Sequence, residues 1–285
     1  MCVTCGCSDG AEITVTNLQT GKVESMAHEH VLPDGTVILH AHDAHEHPDR
    51  EHHHIHDYHH HSTAEVHARV HHTTVSVEQN LLAKNDLLAA GNRGWLRGRK
   101  SIALNLVSSP GSGKTTLLTR TIQDLKDRLP ISVIEGDQAT ANDAKRIEET
   151  GCKVVQINTG TGCHLEAAMV EKGLQELDPP MNSIIMIENV GNLVCPALFD
   201  LGENAKVVIL SVTEGEDKPI KYPHMFRAST VMILTKTDLL PYVNFSVDRC
   251  IEYARQVNPD IEIFQVSATT GERLENWYDW LMNSV

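Results

Sequence analysis

The sequence has no apolar run long enough to cross a membrane, and it has few aromatic residues. Phe, Trp and Tyr together make up 4% of the 285 residues. Basic residues are fewer than acidic ones. The chain has 24 Lys and Arg and 38 Asp and Glu, which gives a formal net charge of −14. This balance excludes a general nucleic-acid binder, which needs basic surface to neutralise phosphates. The N-terminus lacks a basic and then apolar signal segment. We therefore expect a cytoplasmic protein that has neither a membrane nor a nucleic acid as a partner.

Histidine, by contrast, is concentrated in one part of the chain. All of the 18 histidines except His164 and His224 lie between residues 28 and 72. The tract at residues 51–61 has almost no apolar side chains to bury, so it cannot form a core. Imidazole binds nickel, zinc and copper. We predict a flexible metal-binding arm over residues 1–75, with nickel storage on its histidines, followed by a nucleotide-binding domain over residues 76–285.

Three cysteines open the chain in the pattern C-x-x-C-G-C, at Cys2, Cys5 and Cys7. In a reducing compartment cysteines are better interpreted as metal ligands or buried thiols than as disulfides. The alternative is a redox pair, but redox motifs of this spacing begin a helix inside a folded domain. The three thiolates therefore predict a transition-metal site.

A phosphate-binding loop lies between a predicted strand, Ile102–Val107, and a predicted helix. Residues 108–116 read Ser-Ser-Pro-Gly-Ser-Gly-Lys-Thr-Thr, with Ser108 in place of the usual first glycine. In such loops, backbone N–H groups surround the phosphates, the lysine reaches the β and γ oxygens and the hydroxyl ligates Mg²⁺. The predicted phosphate-binding residues are Gly111, Ser112, Gly113, Lys114, Thr115 and Thr116, with Lys114 also catalytic and Thr115 also a Mg²⁺ ligand.

Apolar strands alternate with helical stretches through the rest of the chain, after an amphipathic helix at Val75 to Leu96. Alternation of this kind predicts an α/β fold with a mainly parallel sheet flanked by helices, as in P-loop NTPases. The predicted strands are Ile131–Ile134, Val154–Ile157, Ile184–Ile187, Val207–Leu210, Val231–Leu234 and Ile261–Phe264.

Two of these strands run into loops that resemble the base-reading loops of GTPases. The first is Thr235–Asp238, in which Asp238 can accept two hydrogen bonds from guanine and Lys236 covers the base. The second begins at Ser267 and Ala268. Thr235 replaces the usual asparagine, which predicts a weaker contribution to loop stability. Without the second loop, Thr235–Asp238 could equally be interpreted as the end of a strand followed by a helix cap.

Carboxylates follow two other strands. Glu188 precedes Gly191 where GTPases place an acidic residue for Mg²⁺ and a glycine that meets the γ-phosphate. Asp137 is the better candidate of two further carboxylates for Mg²⁺ or for orienting the attacking water. The other, Asp143, could equally cap the following helix. We predict Lys114, Asp137 and Glu188 as the catalytic residues.

A second metal site is predicted at the same edge of the sheet. Cys163 and His164 follow one strand, and Cys195 follows another, four residues after Gly191. Adjacent Cys and His are often structural, and Cys152 and Cys250 are expected to be buried thiols. Three ligands with an open position suit a metal that is passed on.

Taken together, these motifs resemble the HypB family, the nickel-inserting GTPases of [NiFe]-hydrogenase maturation, in the SIMIBI class of P-loop proteins. The resemblance extends from Met1 to Val285 and includes Glu188 to Cys195 and Thr213 to Pro219. It implies GTP, Mg²⁺, Ni²⁺ and Zn²⁺ as ligands, and a high-affinity nickel site at the N-terminal cysteines. It also implies a GTP-dependent homodimer, a HypA-type nickel chaperone as partner and delivery of nickel to the hydrogenase large subunit.

Three alternatives remain at this point. A urease-accessory nickel GTPase has a similar phosphate loop but a Cys-Pro-His motif, whereas Ala197 follows Cys195-Pro196 here. A passive nickel or zinc storage protein would not need intact Lys114 and Asp238. A small-molecule kinase would not need two guanine loops.

Overall fold

The computed structural model describes residues 13–26, 28–31, 37–40, 63–138 and 142–284. The N-terminal Cys2, Cys5 and Cys7 and the histidine tract at residues 51–61 lie outside these ranges, so the metal-binding arm stays a prediction.

Over the described residues the chain forms eleven strands, eight α-helices and two 3₁₀ helices, at Cys195–Ala197 and Thr237–Tyr242. The strands are β1 (Thr14–Asn17), β2 (Lys22–Ser25), β3 (His28–Val31), β4 (Val37–His40), β5 (Ile102–Ser108), β6 (Ile131–Asp137), β7 (Lys153–Asn158), β8 (Ile184–Glu188), β9 (Ala205–Ser211), β10 (Val231–Thr235) and β11 (Glu262–Gln265). The helices are α1 (Thr63–Gly98), α2 (Lys114–Leu125), α3 (Asn142–Glu148), α4 (Ala167–Leu177), α5 (Lys218–Lys221), α6 (Pro223–Ala228), α7 (Val247–Val257) and α8 (Leu274–Asn283).

The main sheet has nine strands in the order β11-β10-β9-β5-β8-β6-β7-β1-β2. The seven from β11 to β7 are parallel. The inner strands are rich in Val, Ile and Leu, and β8, β9 and β10 are buried throughout, as a parallel sheet covered on both faces requires. The carboxyl ends of parallel strands meet at one edge, where ligands bind in such folds. The predicted fold class is confirmed.

Helices cover both faces of the sheet. On one face α2, α3 and α8 pack over a core that includes Leu118, Ile147 and Trp277. On the other, α1 and α4 pack around residues such as Leu174, and α6 and α7 around residues such as Phe226. Trp277 Nε1 donates to the Thr121 hydroxyl at 3.1 Å, which satisfies its one polar group inside the core.

The first hairpin extends the sheet, although the predicted boundary at residue 75 placed it in the arm. Strand β1 pairs antiparallel with both β2 and β7, with Thr14 opposite Asn158. Val15 is buried in the core of the α4 face. A single apolar residue, Val15, between polar neighbours is a weak local signal for a strand. Only the pairing with β7 shows that this segment belongs to the sheet. The β1–β2 hairpin therefore belongs to the main sheet, whereas β3 and β4 pair with each other in a separate two-stranded sheet.

Helix α1 is longer than the predicted Val75 to Leu96, since it begins at Thr63. Two buried asparagines fasten it to the domain. Asn92 Nδ2 donates to the carbonyls of Ala167 and Leu201, and Asn85 both accepts from the Ala167 N–H and donates to a neighbouring carbonyl. A search of the described helices for one long and apolar enough to span a bilayer finds none.

Replacing Val15 with aspartate tests whether the hairpin is part of the domain. The change places an unpaired carboxylate in a site where Val15 is 1% exposed. We expect a loss of at least about 2 kcal/mol in the free energy of unfolding, and faster hydrogen exchange at β1, measured by urea denaturation and mass spectrometry. Val23→Asp is the matched control, because Val23 on β2 is 61% exposed. Equal effects of the two changes would contradict the packing of the hairpin on the domain.

Candidate nucleotide and metal site

The phosphate loop turns from β5 into α2 and is held by a buried carboxylate. Glu188, at the end of β8, accepts hydrogen bonds through Oε1 from Lys114 Nζ at 2.9 Å and from the Thr115 hydroxyl at 2.6 Å. Lys114 Nζ also donates to the carbonyl oxygen of Asn189 at 2.6 Å. Lys114, which is predicted to bind phosphate, and Thr115, which is predicted to bind Mg²⁺, are therefore both hydrogen-bonded to the end of β8, the strand that leads to Gly191.

Glycine is required at two positions of this loop system. Gly113 is the N-cap of α2 and has a φ of 90°, a left-handed conformation that other residues rarely adopt. Gly191 lies against the phosphate loop, since a β-carbon there would come within 3.1 Å of the Pro110 ring. The contact makes residue 191 sensitive to the position of the phosphate loop.

A second buried carboxylate lies beside Glu188. Glu135 on β6 is paired in register with Glu188 on β8, and it is 2% exposed. Burial, followed by repulsion from Glu188, raises the pKa of Glu135 to about 9. Glu135 therefore carries its proton at neutral pH, whereas Glu188 lies against the ammonium group of Lys114.

The phosphate loop and these carboxylates enclose a cavity of about 490 Å³. Asp137, Asp143 and Arg146 line its wall together with Gly191 and Lys236. Arg146 contacts both the Asp143 carboxylate at 3.2 Å and the Thr116 hydroxyl at 3.4 Å. Asp143 lies inside the first turn of α3, one residue after the helix begins, and it also lines the cavity, so its position favours the cavity over a helix cap.

The cavity fits a magnesium ion by its donor chemistry. Mg²⁺ binds hard oxygen ligands, and the wall offers the Thr115 hydroxyl and the carboxylates of Asp137 and Glu188. The Oε2 atoms of Glu135 and Glu188 are buried with no hydrogen-bond partner. Buried oxygens in this state are costly unless a ligand satisfies them.

The two predicted base-reading loops meet. The Ser267 hydroxyl donates to Asp238 Oδ1 at 2.6 Å, and Lys236 Nζ donates to the Gly111 carbonyl at 2.7 Å. The Thr235 hydroxyl donates to the Ser112 carbonyl at 2.6 Å. The short side chain therefore reaches the phosphate loop directly, and the weaker contribution expected relative to asparagine stays a prediction. Ala268, next to Ser267, accepts from Arg120 through its carbonyl at 3.3 Å.

The three predicted metal ligands of the domain converge. The sulfurs of Cys163 and Cys195 and a ring nitrogen of His164 all lie within 4.8 Å of one another. Cys163 lies in the turn between β7 and α4, and Cys195 begins the 3₁₀ helix after β8. Two thiolates and one imidazole are a donor set for nickel or zinc.

The environment of His164 keeps it in the form that binds metals. It is 5% exposed, and burial lowers its pKa to about 4. Its ring packs at a tilt of 36° against Phe199, with a centroid distance of 4.1 Å. Nδ1 lies 3.6 Å from the Cys163 sulfur, and Nε2 lies 3.7 Å from a Glu166 carboxylate oxygen. Nε2 is buried and has no hydrogen-bond partner, so the neutral imidazole keeps a ring nitrogen available for a metal.

Some functional residues were not singled out by the sequence. The sequence does not point to Glu135, because only the pairing of β6 with β8 places it beside Glu188. Asn189 was also missed, although its Oδ1 accepts from the N–H of Leu165 at 3.1 Å, next to His164. Lys218 reaches the Ser109 hydroxyl at 3.0 Å. Cys152 and Cys250 are buried, as expected, and burial raises the pKa of each to about 12.

Comparison with known proteins identifies the family of the chain. Residues 102–265 match the model of the CobW/HypB/UreG nucleotide-binding domain. The hydrogenase maturation factor HypB of Escherichia coli (strain K12) is 59% identical over 207 residues, which cover 73% of this chain and 71% of that protein. The chain belongs to the HypB family. HypB of Cupriavidus necator is 43% identical over 333 residues, covering 99% of this chain and 88% of that protein.

A solved HypB structure has the same fold. The crystal structure of HypB from Helicobacter pylori in complex with nickel gives a TM-score of 0.66 at 39% identity, and covers 70% of this chain and 94% of that one. Membership of the HypB family places the chain among the SIMIBI-class P-loop proteins. Because these relatives are hydrogenase maturation factors, the urease-accessory and passive-storage interpretations of the sequence are not favoured.

Replacing Glu135 with glutamine tests the buried carboxyl pair. The folded pKa of about 9 lies above the ordinary 4.5, so the contribution of Glu135 to stability is complete below pH 4.5 and is lost as the pH rises towards 9. Glutamine is neutral at every pH. The nucleotide-free variant should gain stability over the parent as the pH rises, at up to about 1.4 kcal/mol per pH unit.

Urea denaturation at pH 5 and at pH 8 measures this difference. Glu262→Gln is the control, because Glu262 is an exposed strand carboxylate. A difference between variant and parent that is the same at both pH values would show that Glu135 is not held protonated by the fold.

Proposed function

We propose that this protein hydrolyses GTP and uses the nucleotide cycle to bind and release nickel during maturation of a [NiFe]-hydrogenase. The observation that carries the proposal is the convergence of Cys163, His164 and Cys195 from the turns after β7 and β8, the second of which continues from Gly191. The nickel is cargo, and an incomplete ligand set is suited to passing it on.

In the hydrolytic step, the oxygen of a water molecule bonds to the γ-phosphorus and the bond to the β–γ bridging oxygen breaks, giving GDP and phosphate. Lys114 binds the β and γ oxygens and offsets the charge that develops there. Asp137, on the cavity wall, orients the water. Thr115 and Glu188 would hold Mg²⁺, which neutralises phosphate charge when bound.

The choice of guanine rests on Asp238. Its carboxylate is fixed by the Ser267 hydroxyl at 2.6 Å, which leaves its second oxygen and its remaining acceptor capacity for the donors of guanine. Lys236 has a left-handed backbone, with a φ of 60°, and its stem lies over the phosphate loop, where Lys236 Nζ bonds Gly111.

The partners of the cycle follow from the family. We propose a GTP-dependent homodimer, a HypA-type nickel chaperone and the hydrogenase large subunit as the protein's partners. The dimer is supported by two exposed apolar side chains beside Cys195, namely Val194 and Leu198, which are 51% and 50% exposed. The same three-ligand site would accept Zn²⁺, and the histidine arm and N-terminal cysteines would hold additional nickel.

Asp238→Asn tests base selection. The amide replaces one acceptor oxygen with a donor, which clashes with the donors of guanine and matches the extra carbonyl of xanthine. We expect GTP affinity to fall by about 10- to 100-fold and xanthosine triphosphate affinity to rise, measured by competition with a fluorescent nucleotide. Asp248→Asn, in the first turn of α7, is a control that should change neither affinity. Unchanged GTP affinity in Asp238→Asn would remove Asp238 from the base site.

Nickel titration in two nucleotide states tests the function itself. The parent for this experiment is the full chain with Cys2, Cys5 and Cys7 changed to serine, so that thiolate-to-nickel absorption reports Cys163 and Cys195. The nickel affinity should differ about 5- to 150-fold between the GDP form and a form with a non-hydrolysable GTP analogue. Cys163→Ala and Cys195→Ala should abolish the signal. Equal affinities in the two states would contradict a nucleotide-driven nickel cycle.

A further inference from the structure

Asn192 bridges the two loops that carry the candidate nickel ligands. Its side-chain Nδ2 donates to the backbone carbonyl of Cys163 at 3.3 Å. Its Oδ1 accepts from the backbone N–H of Val194 at 2.8 Å, and Val194 directly precedes Cys195. One carboxamide therefore joins the turn after β7 to the turn after β8.

Asn192 also follows directly on the segment that contacts the phosphate loop. Lys114 Nζ donates to the Asn189 carbonyl at 2.6 Å, and Gly191 approaches the Pro110 ring so closely that a β-carbon would lie 3.1 Å from it. An ammonium group has three protons, and Lys114 uses two of them on Glu188 and Asn189. Nucleotide phosphates compete for those protons, so the contacts of residues 189–191 depend on the nucleotide.

A change in this segment reaches both sulfurs through Asn192. Val194 leads to Cys195 along the chain, and the Nδ2 bond leads across to Cys163. Metal affinity depends on ligand distances and geometry, so a shift of one loop against the other alters the affinity for nickel. Asn189 is less suited to isolating this effect, because it contacts Lys114 and is itself part of the phosphate site.

We propose that Asn192 is a positioning residue that transmits the nucleotide state to the nickel site by setting the two cysteine loops relative to each other. The proposal rests on the proposed function, in which nickel and GTP bind to neighbouring sites. Asn192 offers no ligand atom in the three-residue metal cluster and does not line the phosphate cavity.

Two substitutions separate this role from metal binding. Asn192→Asp keeps the oxygen that accepts from Val194 and loses the N–H that donates to Cys163. Asn192→Ala loses both bonds without adding charge. Because aspartate adds a charge and alanine does not, a ratio of affinities that falls in both variants reports the lost bond to Cys163 and not the charge.

A matched control lies far from both sites. Asn17 Nδ2 donates to the Glu176 carbonyl at 3.0 Å, and its Oδ1 accepts from the N–H groups of Gln19 and Thr20. Asn17→Asp therefore removes the same kind of cross-loop hydrogen bond from the hairpin. Cys152 and Cys250 do not contribute to the absorption signal, since burial raises the pKa of each thiol to about 12.

The experiment is a nickel titration, in a chelator buffer, of the full chain with Cys2, Cys5 and Cys7 changed to serine. The thiolate-to-nickel absorption is followed with GDP and with a non-hydrolysable GTP analogue, and GDP affinity is measured without metal. In the parent and in Asn17→Asp the nickel affinity should differ about 5- to 150-fold between the two states. In Asn192→Asp and Asn192→Ala the ratio should fall to within about twofold of one, with GDP affinity within about twofold of the parent.

Three outcomes would overturn the proposal, and they are distinguishable. If nickel affinity depends on the nucleotide equally in the parent and in the Asn192 variants, Asn192 does not link the two sites, and the proposed function still stands. A parent without coupling overturns the nucleotide-driven cycle and this proposal together. A fall of tenfold or more in GDP affinity, roughly 1.4 kcal/mol, in the Asn192 variants would make Asn192 part of the nucleotide site and not a link between the sites.

Discussion

The carboxylate of Glu188 accepts hydrogen bonds from Lys114 and from Thr115, at 2.9 and 2.6 Å, in a nearly dry environment. A buried carboxylate is costly unless it is paired, so these contacts draw the first turn of α2 onto the end of β8. The phosphate loop is thereby held against the segment that runs through Gly191 to Cys195. Removing Glu188 would leave the Lys114 ammonium facing a buried pocket with a backbone carbonyl as its remaining partner.

The parallel sheet explains why one carboxylate can organise two sites. The phosphate loop follows β5, Asp137 ends β6, the Cys163 turn follows β7 and the Cys195 turn follows β8. These four strands are neighbours in the order β5-β8-β6-β7. Their carboxyl ends therefore bring a hard-oxygen site and a thiolate and imidazole site next to each other, each with the donor types that its ion prefers.

The N-terminal elements hold the metal side of this edge in place. Helix α1 fixes the start of α4 through Asn85, which accepts from the Ala167 N–H, three residues after His164. Asn92 ties the same turn to the loop at Leu201, and Arg93 pairs with Asp200 at 2.8 Å. Phe199, in that loop, packs against the ring of His164. The helix that follows the histidine-rich tract is thus connected by hydrogen bonds to the surroundings of the candidate nickel ligand.

The sequence by itself determined the features that depend on local chain chemistry. The phosphate loop, the alternation of strands and helices, the guanine loop and the residue types suited to nickel can all be identified along the chain, because each depends on spacing within one loop or strand. Only the tertiary structure decided which distant groups share a site. Glu135 became part of the phosphate cavity through the pairing of β6 with β8, and the hairpin at residues 14–25 joined the sheet through β7. Thr235 gained its partner on the phosphate loop, and Asn192 its bond to Cys163, because hydrogen bonds between residues far apart in sequence leave no periodic signal.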